Sequence, residues 1–407
     1  MMTFLKQTSY PLLFLLILVP SKGWIDLNLF QANILILCVI ALNLIYLRTP
    51  LIQYFKNLNA RKFIDIDIVI FASIIFHFMV SQSINVFALS FLIIYFLSKL
   101  TWMQFRVPEE KIKIINAIMI FGLFLLFSVF LGFIEMLSLK TNVFSSISVA
   151  NYPNPIAKLF NHSKGLYYSY NATAYSLAFF YCSISFLLIS FKYKRFLEGM
   201  TLVMLFLTQA KFAYLFIASL VLVNLLNRSN GRPFFILLGI AIILYIVFSH
   251  ISVGLGNSVQ LDDKYYYLTI FKNENFSVYL SLFSELKHKS FDFLLSIDLL
   301  RPNLNNLIIF LNHSEPHNLF ISAYFFGGII FLIALIFLIL NALKKSIYAI
   351  KDKGFIEMNF FILFILLVVE SLLWDSYDSL IFLLMLAFTN SYPYQTKSAN
   401  QIKDSHL

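Results

Sequence analysis

Twelve times along this chain an apolar run continues far enough to cross, or nearly cross, the ~30 Å hydrocarbon core of a bilayer. The runs lie near 9–21, 29–47, 63–80, 82–99, 114–138, 170–191, 199–209, 212–226, 234–251, 318–340, 359–374 and 376–390. Hydrocarbon offers no partner to backbone N–H and C=O groups, so each run must close its own hydrogen bonds as a helix. The chain is therefore predicted to be an all-α polytopic membrane protein, with about 12 transmembrane helices in a single membrane domain over 1–407. Composition agrees: charged residues are only 12% of the chain, against the roughly 25% that solvates a soluble surface. Length alone would suggest two or three soluble domains, and the hydropathy overrides that prior. The first run, from Tyr10 to Pro20, is followed by Ser21-Lys22-Gly23-Trp24 and not by a small-residue cleavage site, so it is read as a retained short span.

Basic residues set the sidedness. With the N-terminus cytoplasmic, about two thirds of the 30 lysines and arginines fall in short inside segments, among them Arg61, Lys62, Lys111, Lys113, Lys194, Arg195, Lys344 and Lys345. This bias predicts both termini in the cytoplasm. It also favours a break near Lys211, because one crossing over 199–226 would invert everything downstream. The alternative at that point is one long or broken helix. The net charge of +10 is accounted for by topology, and nucleic acid is not an expected partner; the bilayer is. Cys38 and Cys182 lie inside apolar runs and read as inert small hydrophobes.

Two outer loops stand apart from the short connections. The first spans 139–170 and the second, the largest polar segment, spans 252–317. Loops of that length usually carry function. The second holds apolar stretches such as Tyr265-Tyr266-Tyr267-Leu268 and Leu307-Ile308-Ile309-Phe310-Leu311, which predict short helices on the outer surface.

The residues able to do chemistry cluster at the outer loop ends. Arg301-Pro302-Asn303 precedes His313-Ser314-Glu315-Pro316-His317-Asn318, where the large loop re-enters the membrane. His317 could exchange a proton near neutral pH, and Asn318 could cap the helix whose first N–H groups favour an anion. The bland reading is a helix cap in the interfacial zone. Lys211 interrupts an apolar stretch, which costs roughly 2.5–3.5 kcal/mol at a helix centre and is by default functional; its bland reading is a snorkelling lysine at a topological turn. Ser163-Lys164-Gly165 through Asn171 sets a cation, a glycine and an amide just before a span. Glu135 and Glu370 lie in or near spans and could face the bundle, while Asp65 and Asp67 sit at an inner boundary. No phosphate-binding glycine loop, zinc pattern, cysteine pair or Ser-His-Asp arrangement is visible, so neither a metal nor another cofactor is expected.

In order and position, these segments resemble the O-antigen polymerase and ligase superfamily of bacterial envelope assembly. Leu207-Thr208-Gln209-Ala210-Lys211 is similar to its threonine-x-serine-arginine segment, with Ala210-Lys211 in place of serine-arginine. Ser163-Lys164-Gly165 to Asn171 is similar to its basic-glycine-to-asparagine stretch. Pro316-His317-Asn318-Leu319-Phe320, with Gly327-Gly328 beyond, is similar to the histidine-asparagine motif that follows the large periplasmic loop; Tyr324-Phe325-Phe326 replaces its usual acidic residue.

The resemblance implies a membrane-embedded, GT-C-like, inverting and metal-independent glycosyltransferase in the bacterial inner membrane, with its active site facing the periplasm. It would polymerise oligosaccharide repeat units carried on undecaprenyl pyrophosphate into O-antigen or capsular polysaccharide, with a chain-length regulator protein as a further candidate partner. Lys164, Lys211 and Arg301 would bind the donor pyrophosphate and stabilise it as leaving group. His317 would act as general base on the acceptor hydroxyl, oriented by Glu315 or Asn318, and Asn171 would add a substrate contact. Two rivals remain: a ligase moving glycan from the same donor to lipid A core or protein, and a lipid-linked oligosaccharide flippase. Transporters commonly show related halves with a midplane site, and no such halving is visible here.

Overall fold

The computed structural model describes residues 52, 68–73, 75, 86–104, 107–138, 145–146, 162–163, 165, 170–187, 192–208, 210–226, 319–352, 355–373 and 380–391. They are almost entirely helical: α1 (Val86–Gln104), α2 (Pro108–Ser138), α3 (Tyr170–Leu187), α4 (Lys194–Thr208), α5 (Lys211–Leu226), α6 (Leu319–Asp352), α7 (Phe355–Leu373) and α8 (Leu380–Ser391). A two-stranded antiparallel ribbon, β1 (Ser145–Ser146) and β2 (His162–Ser163), lies in the loop between α2 and α3. Among the described residues, two stretches, Pro108–Glu135 and Ile329–Tyr348, are long and apolar enough to cross a membrane. The expected spans that fall before residue 86 and over 234–251, and the large loop 252–317, lie wholly or largely outside the described residues.

Local sequence explains the helix starts. Pro108 opens α2, where a missing N–H costs nothing and a fixed φ suits the first turn. Glu109 and Glu110 follow in that turn, where the helix dipole favours acids. Lys113 pairs with Glu110 one turn on, at 2.6 Å. With 31 residues, α2 is about 46 Å long at the standard helical rise. At 34 residues α6 is longer still, about 51 Å by the same rise, and it runs on well past residue 340, where its apolar run ends.

The helix α3 is the hub, packed against α2, α4, α5 and α7. Its contacts run antiparallel to α2, α4 and α7. Near its C-terminal end, Ser185 Oγ donates to Glu198 of α4 at 2.7 Å, and Lys194 Nζ donates to the Ser185 carbonyl at 2.9 Å. Cys182 lies beside the start of α7, its thiol donating to the Asn359 carbonyl at 3.5 Å. Near the other end, Tyr175 reaches Glu370 late in α7. By contrast α5 runs parallel to α3, with Tyr175 edge-on to Phe212 at 4.7 Å and Tyr181 edge-on to Phe216 at 6.0 Å. The expected break near Lys211 is therefore two helices, and they run in opposite directions along α3.

The remaining helices pack mainly on α7 and on one another. Trp102 of α1 donates its indole N–H to the Leu384 carbonyl of α8 at 3.1 Å and meets Phe388 edge-on at 4.8 Å. Phe388 also packs on Phe360 of α7. Lys345 of α6 donates to the Asn390 carbonyl at 2.6 Å, a cation at the C-terminal end of α8. Buried aromatic rings from several helices, including Phe121, Phe179, Phe212, Phe331 and Phe364, fill the interior.

The outward faces are apolar as well. Leu123, Phe124, Phe127, Phe130 and Ile134 form an exposed stripe on α2, and Ile330, Ile333, Phe337 and Leu340 form one on α6. Spacings of three and four residues put each set on one helix face. Stripes of this kind are foreign to a water-facing surface and suit contact with lipid or another protein.

Candidate functional site

The antiparallel packing gathers the start of α3, the α4–α5 break, the end of α7 and the β ribbon at one end of the bundle. The basic residues Lys194, Lys344 and Lys345 lie toward the other. Ser163, last residue of β2, is fully buried and donates its hydroxyl to the Val129 carbonyl of α2 at 2.8 Å. Gly165 follows with φ +55°, a left-handed conformation that glycine adopts without penalty. A Cβ there would meet Val129 at 2.9 Å, Ser128 at 3.0 Å and Thr173 at 3.5 Å. Lys164 thus has both sequence neighbours held against α2, although Lys164 itself lies outside the described residues.

Asn171 occupies the first turn of α3, partly buried and engaged with neighbours. Two residues on, Thr173 is fully buried beside Gly165. Gly165 and Thr173 are therefore neighbours, close enough that a Cβ on Gly165 would touch the Thr173 methyl.

At the α4–α5 break, Thr208 acts in two directions. Its hydroxyl donates to the Leu205 carbonyl at 2.7 Å and accepts the Ala210 N–H at 3.3 Å. Such a side-chain bond competes with the helical ladder and stabilises a turn. The Ala210 carbonyl then accepts the first bond of α5, from Ala213 N–H at 3.0 Å. Ala210 is the cap position, and alanine brings no side-chain acceptor to it. The helix begins at Lys211, so the lysine belongs to a first turn whose backbone N–H groups carry partial positive charge.

Beneath these segments lies a buried carboxylate. Glu370 is 2% exposed and accepts a hydrogen bond from the Tyr175 hydroxyl at 3.1 Å. Of the two acids in or near spans, Glu370 faces the bundle interior and Glu135 is partly buried near the end of α2. Tyr175, the partner of Glu370, is not among the residues the sequence motifs point to. The available signal is a phenol inside an apolar run, since a buried tyrosine hydroxyl usually has a polar partner.

Of the predicted site residues, Asn171 and the backbone of Lys211 are brought to one end of the bundle. Lys164, Arg301, Glu315, His317 and Asn318 lie outside the described residues, the last two immediately before α6. Comparison of the chain with protein families, with curated proteins and with solved structures finds no match.

Proposed function

We propose that the chain is a polytopic inner-membrane protein of about twelve spans. In this reading it is an inverting, metal-independent glycosyltransferase with its active site on the periplasmic face. It extends O-antigen or capsular polysaccharide from oligosaccharide repeat units carried on undecaprenyl pyrophosphate. The observation that carries the reading is the convergence of the Ser163–Gly165 turn, the Asn171 helix start and the α5 start at Lys211 on one end of the bundle. That end is opposite Lys194 and Lys345, as the basic-inside rule requires of an outer face.

In the proposed reaction Lys164, Lys211 and Arg301 neutralise the donor pyrophosphate, whose departure leaves charge that fixed cations stabilise. His317 takes the proton from the attacking hydroxyl of the acceptor sugar, and Glu315 or Asn318 fixes its ring. The new glycosidic bond forms as the sugar–phosphate bond breaks, and undecaprenyl pyrophosphate leaves. Lysine is a point charge where arginine would offer a two-pronged fork, so Lys164 and Lys211 hold the phosphates with looser geometry.

The test is direct. Purified protein in lipid nanodiscs, given a defined lipid-linked repeat unit and excess chelator, is expected to yield a ladder of longer lipid-linked products without nucleotide. Transfer only when lipid A core is supplied would instead identify a ligase. Movement of the lipid across a sealed vesicle with no new glycosidic bond would identify a flippase.

A further inference from the structure

The Glu370–Tyr175 pair has no role in the reaction as written, yet its position is costly. Burying a carboxylate in an apolar interior requires either protonation or partners, and ionisable groups inside a membrane bundle are functional by default. A leucine would suit the site better on packing grounds alone, as Leu366, Leu367 and Val368 of the same helix illustrate. The pair also bridges three helices. Glu370 stands on α7 and Tyr175 on α3, and the Tyr175 ring meets Phe212 of α5 at 4.7 Å with the planes at 85°. Phe212 is fully buried and is the residue directly after Lys211.

We infer that Glu370 is a positioning residue for the pyrophosphate site: by fixing Tyr175 it sets Phe212, and with it the first turn of α5 that carries Lys211. The inference rests on the glycosyltransferase reading for the identity of the ligand. The hydrogen bond anchors the Tyr175 hydroxyl and so sets the position of the ring along its long axis. The edge-to-face contact passes that constraint to Phe212, and an aromatic pair of this geometry holds orientation as well as area. Beside this contact, the α5 start is held by the short turn through Thr208 and Ala210 and by packing on α4 and α7.

The experiment measures binding of undecaprenyl pyrophosphate to the full chain in nanodiscs, with elongation of a lipid-linked repeat unit as a second readout. Tyr175→Phe and Glu370→Leu are each expected to weaken binding about tenfold while helicity by circular dichroism is unchanged, a loss typical of displaced contacts. Glu370→Gln keeps an acceptor for the Tyr175 hydroxyl and is expected to lose distinctly less. In a Lys211→Ala background, Tyr175→Phe should have little further effect, because both act through one contact. Wild-type binding by Tyr175→Phe and Glu370→Leu, equal losses in the Lys211→Ala background, or no binding by the parent protein would each overturn the inference. Coupled losses in binding, in a protein that never elongates the donor, would uphold it while sinking the polymerase reading.

Discussion

A Cβ placed on Gly122 of α2 would collide with the ring of Phe180 of α3, a fully buried side chain. Close approach through a small residue is how helices pack where solvent supplies no hydrophobic drive. Gly122→Ala is expected to destabilise the bundle by about 1–3 kcal/mol through overpacking. Thermal unfolding in detergent, followed by circular dichroism, checks this. Adding Phe180→Leu should recover part of the loss, and a neutral Gly122→Ala would show that α2 and α3 are not so closely packed.

Gly165 combines a left-handed φ with three near neighbours. Gly165→Ala should cost about 1–2 kcal/mol from backbone conformation alone, with a further term from the collision with Val129. Asparagine tolerates the left-handed region better than alanine does, yet its bulk meets the same wall. Gly165→Asn is therefore expected to be no more stable than Gly165→Ala, and Val129→Ala should rescue both in part. A stability order with asparagine near wild type would assign the requirement to φ only.

Thr208→Val removes a hydroxyl without changing shape. The Ala210 N–H, buried at the helix break, then loses its acceptor, at a cost of about 1–3 kcal/mol. Thr208→Ser retains both bonds and should be close to wild type. Amide hydrogen exchange across 205–214 would register the difference locally, faster in the valine variant alone.

His317→Ala tests the proposed general base. Loss of such a group typically lowers a rate about 10²–10⁴-fold, so long-chain polysaccharide should vanish while the protein remains inserted at normal abundance. Normal chain-length ladders in that variant would remove His317 from the mechanism.

Much of the helical order could be read from apolar runs, and the reasons for the differences are physical. Apolarity marks bilayer thickness and not helix length. The run near 318–340 therefore stops short of α6, whose Asn341-Ala342-Leu343-Lys344-Lys345 continuation is polar but helix-compatible. The break beside Lys211 was legible because a lysine punctuates an otherwise apolar stretch. The β1–β2 ribbon was not, since strands of two residues have no periodicity to detect. At the site, Gly165 and Asn171 could be picked out locally, whereas the bond between Tyr175 and Glu370 joins residues 195 apart in sequence and leaves no local trace.

The pairing of α1 with α8 has a consequence for biogenesis. Trp102 and Leu384 are 282 residues apart, so the contact between α1 and α8 cannot form until α8 has been translated. A chain arrested before residue 380 would lack the whole of α8, and with it the Leu384 carbonyl and the Phe388 ring that meet Trp102. Completion of the bundle is thus reported at a helix far from where the last residues are added.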